Sequence, residues 1–311
     1  KRCHPGTCCG GAPSVGRLSS AYIIGALIFL RTAQASAHQF DMARLFYLRT
    51  NFYLRVDSMT IYYFSATGNS LYVAQYLQKN LSDVEILSIP RELQQKNFSV
   101  DADKVGFIFP LHYGGLPIIV EDFVRSLNIR AKYIFSVSTC GIPWLGRPFT
   151  DLSEILGGRL NAGWFVRLVS NYLLYRDTAA DWRIKIRYWW AEKTLAKIAS
   201  AVAESKSHVD CEINKAACKK MHDAWISRRA ELDEKFICDV SRCVKCGMCE
   251  KICPTKNISR PNGSPVWNHR CVECLGCLNV CPKQAIDVGE VTRGRKRYIN
   301  WNVKPKDLLQ N

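Results

Sequence analysis

From Met59 onward, short apolar runs alternate with stretches of helical period. Thr60-Ile61-Tyr62-Tyr63-Phe64 is an unbroken β-branched and aromatic run, which predicts a buried strand. A helix is predicted over 70–80, with Leu71, Ala74 and Leu77 on one face. Further strands are predicted at 84–88, 104–109, 133–138 and 162–169, and helices at 117–127 and 149–156. Pro117 suits a first helical turn, where its missing N–H costs nothing. Five strands alternating with helices predict an α/β domain with a doubly wound parallel sheet, covered on both faces. Ligands of such sheets bind beyond the carboxyl ends of the strands.

Beyond residue 170 the pattern changes. A long helix is predicted over 179–203, with Trp182, Ile186, Trp189, Trp190, Ile198 and Val202 as its apolar stripe. Arg183, Arg187, Lys193 and Lys197 make it basic. A second helix is predicted over 214–236, and a basic terminal hairpin over 286–301. Asn171-Tyr172 either borders a ligand site or caps the sheet. Upstream of all this, residues 1–58 read as a tail outside the working protein, with Met59, or Met42, as the expected start. Its apolar run, Ala21–Leu30, is too short to span a bilayer. Arg17 before that run and Ala35-Ser36-Ala37 after it also fit a signal peptide. Cys3, Cys8 and Cys9 have no metal-spaced partners.

Composition sharpens the picture in two ways. The net charge is +16 over 311 residues, which suits an acidic partner, an anionic surface or nucleic acid. The basic and aromatic helix reads as packed rings with a solvated face, or as a docking face for an acidic electron carrier, rather than as a nucleic-acid site. The cysteines are more telling. Of fifteen, eight form Cys243-x2-Cys246-x2-Cys249-x3-Cys253-Pro254 and its copy Cys271-x2-Cys274-x2-Cys277-x3-Cys281-Pro282, displaced by 28 residues. Three thiols on one tight loop, with a fourth before proline, exceed what zinc needs. A duplicated pattern also outweighs disulfides and the plant-type [2Fe–2S] spacing that Cys238 starts. Cys211, Cys218 and Cys238 lie outside the repeat.

The first strand ends in Ser65-Ala66-Thr67-Gly68-Asn69-Ser70. Hydroxyls and a glycine before a helix N-terminus form an anion site or an ordinary N-capping loop. The loop matches neither the Walker loop nor the dinucleotide fingerprint. It resembles the flavodoxin phosphate loop, and the cysteine rows resemble the two-cluster bacterial ferredoxins. Together they resemble a family of fused flavodoxin-like and two-[4Fe–4S] ferredoxin proteins, also called EFR-type ferredoxins, over 59–311.

That resemblance implies a five-stranded flavodoxin-like sheet of order 2-1-3-4-5 over 59–170, a helical connector over 171–237, and a small α+β ferredoxin domain over 238–311. It implies FMN, with its phosphate on Ser65, Ala66, Thr67, Gly68, Asn69 and Ser70. The flavin ring would lie against Tyr113, Gly114 and Gly115 and against Thr139, Cys140 and Gly141. Tyr113 and Trp144 are stacking candidates, or else pack loop against sheet. It also implies crossed ligation of two [4Fe–4S] clusters, since each fourth cysteine serves the other cluster. One would take Cys243, Cys246, Cys249 and Cys281; the other would take Cys271, Cys274, Cys277 and Cys253. The function implied is electron transfer between FMN and the clusters. The alternatives are a flavin-dependent reductase of a small molecule, and an FMN-free ferredoxin or docking protein. No hydrolytic constellation is visible. A redox partner protein, acidic if it docks on the basic face, no nucleic acid, no membrane span and a cytoplasmic location complete the expectation.

Overall fold

The computed structural model describes residues 58–143 and 145–309. The upstream tail, its cysteines, the question of the start site and Trp144 lie outside the described residues.

Five long strands form where the apolar runs predict them: β1 (Met59–Tyr63), β2 (Val84–Ser88), β4 (Lys104–Pro110), β6 (Tyr133–Cys140) and β7 (Ala162–Arg167). Between them lie the short strands β3 (Ser99–Asp101) and β5 (Asn128–Arg130), which pair with each other in a separate parallel ribbon. The main sheet runs β2-β1-β4-β6-β7 and ends in a two-residue edge strand, β8 (His208–Val209), that the sequence reading omits. Its five long strands thus have the order 2-1-3-4-5, and every pairing is parallel.

Successive side chains of a strand point to opposite faces, so the continuous apolar runs feed two cores. Ile61, Tyr63, Ile108, Phe135 and Val137 face one side, packed by α1 (Asn69–Asn80) and by the long helix Asp181–Ala203. Tyr62, Phe64, Phe107, Phe109 and Ile134 face the other, packed by α2 (Ile89–Gln95), α3 (Ile118–Ser126) and α4 (Pro148–Ile155). Pro90 stands at the start of α2, so it opens a helix rather than merely ending β2. The long helix, α5, is held at its carboxyl end by Lys104: the ammonium donates to the carbonyls of Val202 (3.0 Å) and Ala203 (2.8 Å).

Three expectations change. The buried face of α5 is Ile184, Tyr188, Ala191, Leu195, Ile198, Ala199 and Val202, while Trp182, Ile186, Trp189 and Trp190 are exposed. Its first half is apolar on both sides, so periodicity alone could not set the phase. Tertiary contact does: the Tyr188 hydroxyl bonds that of Tyr298 (2.7 Å). The second helix, α6, stops at Ile226 (Lys215–Ile226). The chain then turns so that buried Asp233 accepts from Asn257 Nδ2 (2.7 Å) and the His269 amide (2.9 Å). The terminal hairpin does not form. The strand Ile286–Val288 pairs antiparallel with Phe236–Cys238 instead, and Arg297, expected in solvent, is buried against Asp287 at 2.6 Å.

The C-terminal half is small: those two strands, β9 (Phe236–Cys238) and β12 (Ile286–Val288), the hairpin β10 (Ile258–Ser259) and β11 (Val266–Trp267), and two short helices, α7 (Met248–Ile252) and α8 (Gly276–Val280). Its Leu275, Leu278, Ile286 and Val288, with Tyr298 and Val303, join the core that covers α1 and α5. Among the described residues no helix is long and apolar enough to cross a membrane.

Candidate functional site

The loop after β1 turns at Gly68, whose φ of +97° is left-handed and costs glycine little. Most of its polar groups have protein partners. Ser65 Oγ accepts from the Gly68 amide (3.1 Å), Ser70 Oγ bonds Thr139 Oγ1 (3.0 Å), and Thr67 Oγ1 accepts from Asn171 Nδ2. Asn69 donates to the Val169 carbonyl (2.9 Å) and accepts from Tyr298 Oη (2.8 Å) and Asn300 Nδ2 (3.1 Å). The Asn300 amide donates to the Thr67 carbonyl (2.8 Å). The C-terminal segment therefore lies on the loop, and Thr67 is 2% exposed. Ala66 faces Gly276 of α8, and a Cβ on that glycine would stand 3.5 Å from Cβ of Ala66.

The two other loops predicted to meet a ligand converge at the same end of the sheet, and protein covers them too. Tyr113 (φ +47°) stacks on Trp225 of α6, with ring centroids 4.8 Å apart and planes 16° from parallel. Its hydroxyl bonds Tyr172 Oη and donates to Glu273 (3.1 Å). Trp225 Nε1 donates to the same carboxylate at 2.7 Å, and Tyr172 Oη at 3.4 Å. Burial raises the carboxyl pKa of Glu273, and these three donors oppose that rise. Asn171 and Tyr172 thus border the site. A Cβ on Gly114 would stand 2.8 Å from Cβ of Cys218, one on Gly115 2.6 Å from the His222 ring, and one on Gly141 2.8 Å from Cβ of Ser170. Thr139 and Cys140 are buried, and burial pushes the Cys140 thiol up to about 12, so it is neutral. His112 is buried beside His222 and Trp225; burial, then the charge of His222, lowers it to about 4. In this arrangement the residues expected to hold FMN do not leave it room.

The cysteines are all free thiols among the described residues. One cavity is lined by Cys243, Cys246, Cys249 and Cys281, and a second by Cys253, Cys271, Cys274 and Cys277. The fourth cysteine of each row thus lines the cavity of the other row. The 28-residue repeat extends to the backbone. Lys245 and Glu273, Gly247 and Leu275, and Lys256 and Gln284 are left-handed pairs at that offset. The Asn257 amide donates to Cys253 Sγ (3.2 Å), and the Ala285 amide, 28 residues on, donates to Cys281 Sγ (3.3 Å). Such N–H···S bonds stabilise thiolates and tune an iron centre. Burial, then the charge of neighbouring Cys253, pushes the Cys274 thiol up to about 12. An iron cluster bound there would hold these sulfurs as thiolates, and its loading would release protons.

Sequence reasoning missed Trp225, Glu273, Tyr298 and Asn300. Glu273 carried a signal. An acidic residue between two thiolate ligands, where the other row has Lys245, is electrostatically odd unless donors await it.

A flavodoxin-domain model matches residues 60–141, and a 4Fe-4S dicluster-domain model matches residues 242–286. No curated protein matches. Solved structures similar to part of the chain include a protein assigned as a flavoprotein from Bacteroides uniformis (16% identity, 36% of this chain and 92% of that one, TM-score 0.30). Another is the flavodoxin of Streptococcus pneumonia TIGR4 (18% identity, 45% and 98%, TM-score 0.28). The domain matches support iron–sulfur and flavin cofactors as classes. A flavodoxin-domain match before a 4Fe-4S dicluster-domain match supports a fused flavodoxin plus ferredoxin-type protein.

Proposed function

We propose that this chain is an electron-transfer protein carrying two [4Fe–4S] clusters, one on Cys243, Cys246, Cys249 and Cys281 and one on Cys253, Cys271, Cys274 and Cys277. The observation that carries this reading is the pair of cavities, each lined by four cysteines with one borrowed from the other row. Each cluster moves one electron at a time, and the protein sets its potential through burial, N–H···S bonds and nearby charge. The working parts are the flavodoxin-like half (59–170), the connector (171–237) and the ferredoxin-like half (238–311). A redox partner protein, acidic if it docks on the basic surface, would complete the system, and a reducing cytoplasm would suit exposed thiols and oxygen-sensitive clusters.

The test is anaerobic purification with iron and sulfide analysis and spectroscopy of the reduced protein. The expected result is about eight irons per chain, with two interacting [4Fe–4S] signals. Four irons, or zinc, would defeat it.

A second reading couples FMN to the clusters, linking two-electron flavin chemistry to one-electron steps. The flavodoxin-domain match and the hydroxyl-rich loop 65–70 favour it. FMN and the ring-loop packing described above exclude each other, so a bound flavin decides for this reading; with a flavin bound, a substrate that reoxidises the reduced flavin would identify a small-molecule reductase.

A further inference from the structure

We infer that the flavin-ring site of the flavodoxin-like half is filled by the chain itself, with the Glu273 carboxylate as its built-in ligand, and that the folded protein takes up no FMN. The inference uses the two-cluster reading only to set Glu273 beside iron.

Ligands of a parallel α/β sheet dock beyond the carboxyl ends of its strands, in the crevice between loops. Here that crevice receives the loop carrying Cys271 and Cys274. Glu273 stands between these cysteines and reaches Trp225 Nε1, Tyr113 Oη and Tyr172 Oη. One donor, Tyr113, comes from the first ring loop, and two come from the connector: Tyr172 at its start after β7 and Trp225 of α6. Three segments far apart in sequence thus converge on one carboxylate, and that is how a protein binds an anionic ligand.

Three observations leave no space for a flavin. Tyr113, the stacking candidate, already has the Trp225 ring against its face, and Tyr172 packs edge-on. In the direction a Cβ would take from Gly114, Gly115 and Gly141, Cys218, the His222 ring and Ser170 stand too close for a methyl, so α6 and the segment after β7 pack directly onto the ring loops. At the phosphate loop, a Cβ on Gly68 would lie 2.8 Å from Cβ of Asn300, the Gly68 amide donates to Ser65 Oγ, Asn171 Nδ2 donates to Thr67 Oγ1, and the Ser70 hydroxyl is paired with that of Thr139. Seating FMN would require lifting the C-terminal segment, displacing Trp225 and leaving a buried carboxylate without donors. Each of these carries a cost. The flavodoxin-like half thus serves as a socket for the inner cysteine row.

The experiment uses the full chain, purified anaerobically with its iron. Flavin is measured by acid extraction, and FMN is then titrated in while its fluorescence is followed. The expected result is no extracted flavin and no saturable quenching. One flavin per chain, or saturable quenching with iron retained, overturns the inference. Iron far below eight with no flavin uptake defeats the two-cluster reading and leaves this one supported. The socket is tested separately with Glu273→Ala and Glu273→Gln. Loss of a charged hydrogen-bonded group should speed chelator removal of the inner irons by about tenfold or more in the alanine variant, and by less in glutamine, which keeps an acceptor. Removal rates equal to wild type in both variants overturn the role of Glu273.

Discussion

The two cysteine rows share a spacing, a set of left-handed turns and an N–H···S bond to the fourth cysteine, yet they occupy different surroundings. The first row is at the surface: Cys246, Val244 and Lys245 are exposed. The second faces the flavodoxin-like half: Val272, Leu275, Cys277 and Leu278 are buried, and Leu275 accepts a left-handed backbone where the first row has Gly247. That conformation disfavours leucine, and burial of its side chain offsets the strain. A duplicated motif therefore specifies local geometry twice, and the neighbouring domain breaks its symmetry. For a pair of clusters, the outer one would meet a partner and the inner one would be shielded from water, with different potentials as the consequence.

Removing one cysteine from each row should break the comparison most sharply. Cys277→Ala should shed the inner irons and unfold much of the C-terminal half, because its small core is built around that cavity. Cys246→Ala should shed the outer irons and leave the melting of the flavodoxin-like half unchanged. Cys253→Ala should behave like the inner substitution and Cys281→Ala like the outer one. Iron analysis and spectroscopy of the four variants check this; loss of the outer irons from Cys253→Ala would refute crossed ligation.

Acid should weaken the inner side next. His112 is held at about 4 in the fold, against 6.5 in a free side chain. Between those values the unfolded chain binds more protons, so stability is full above pH 6.5 and falls as the pH drops toward 4, by about 3 kcal/mol at most. An NMR titration that finds the His112 ring titrating near 6.5 would rule this out. Urea melts at pH 7 and pH 5 should show a steeper loss for wild type than for His112→Asn.

The smallest test compares equivalent positions of the two rows. Val272→Ala should cost about 2 kcal/mol from lost burial and a residual cavity. Val244→Ala, 28 residues earlier and 55% exposed, should stay within about 0.5 kcal/mol. Equal costs in thermal melts would mean that the rows are equivalently packed after all.

Elements were legible where one local rule sufficed. Unbroken apolar runs became the five long strands within a few residues, and the helix after Gly68 begins one residue earlier than predicted. The cysteine rows were legible because spacing along a tight loop is spacing in space. The phase of α5 was not, since Trp182, Trp189 and Trp190 look as apolar as Tyr188 and Leu195, and only the Tyr188–Tyr298 hydroxyl pair tells which side turns inward. The C-terminal segment misled for a similar reason. Alternation over 286–301 suggested self-pairing, but Asp287 and Arg297 form a buried pair and Tyr298 and Asn300 bond Asn69, more than 200 residues earlier.

By itself, then, the sequence determined the strand order of a parallel sheet through family resemblance, the hydroxyl-rich turn after its first strand, and two matched rows of cysteines. These are local properties, carried by hydropathy, by glycine's access to left-handed turns and by fixed loop lengths. Only the tertiary structure decided what lies on the ligand-binding end of that sheet. The Glu273 carboxylate, drawn in by Trp225, Tyr113 and Tyr172, and Asn300 on the phosphate loop come from distant parts of the chain. No periodicity encodes such contacts, because their stability depends on desolvation and donor geometry that exist only once the two halves are packed together.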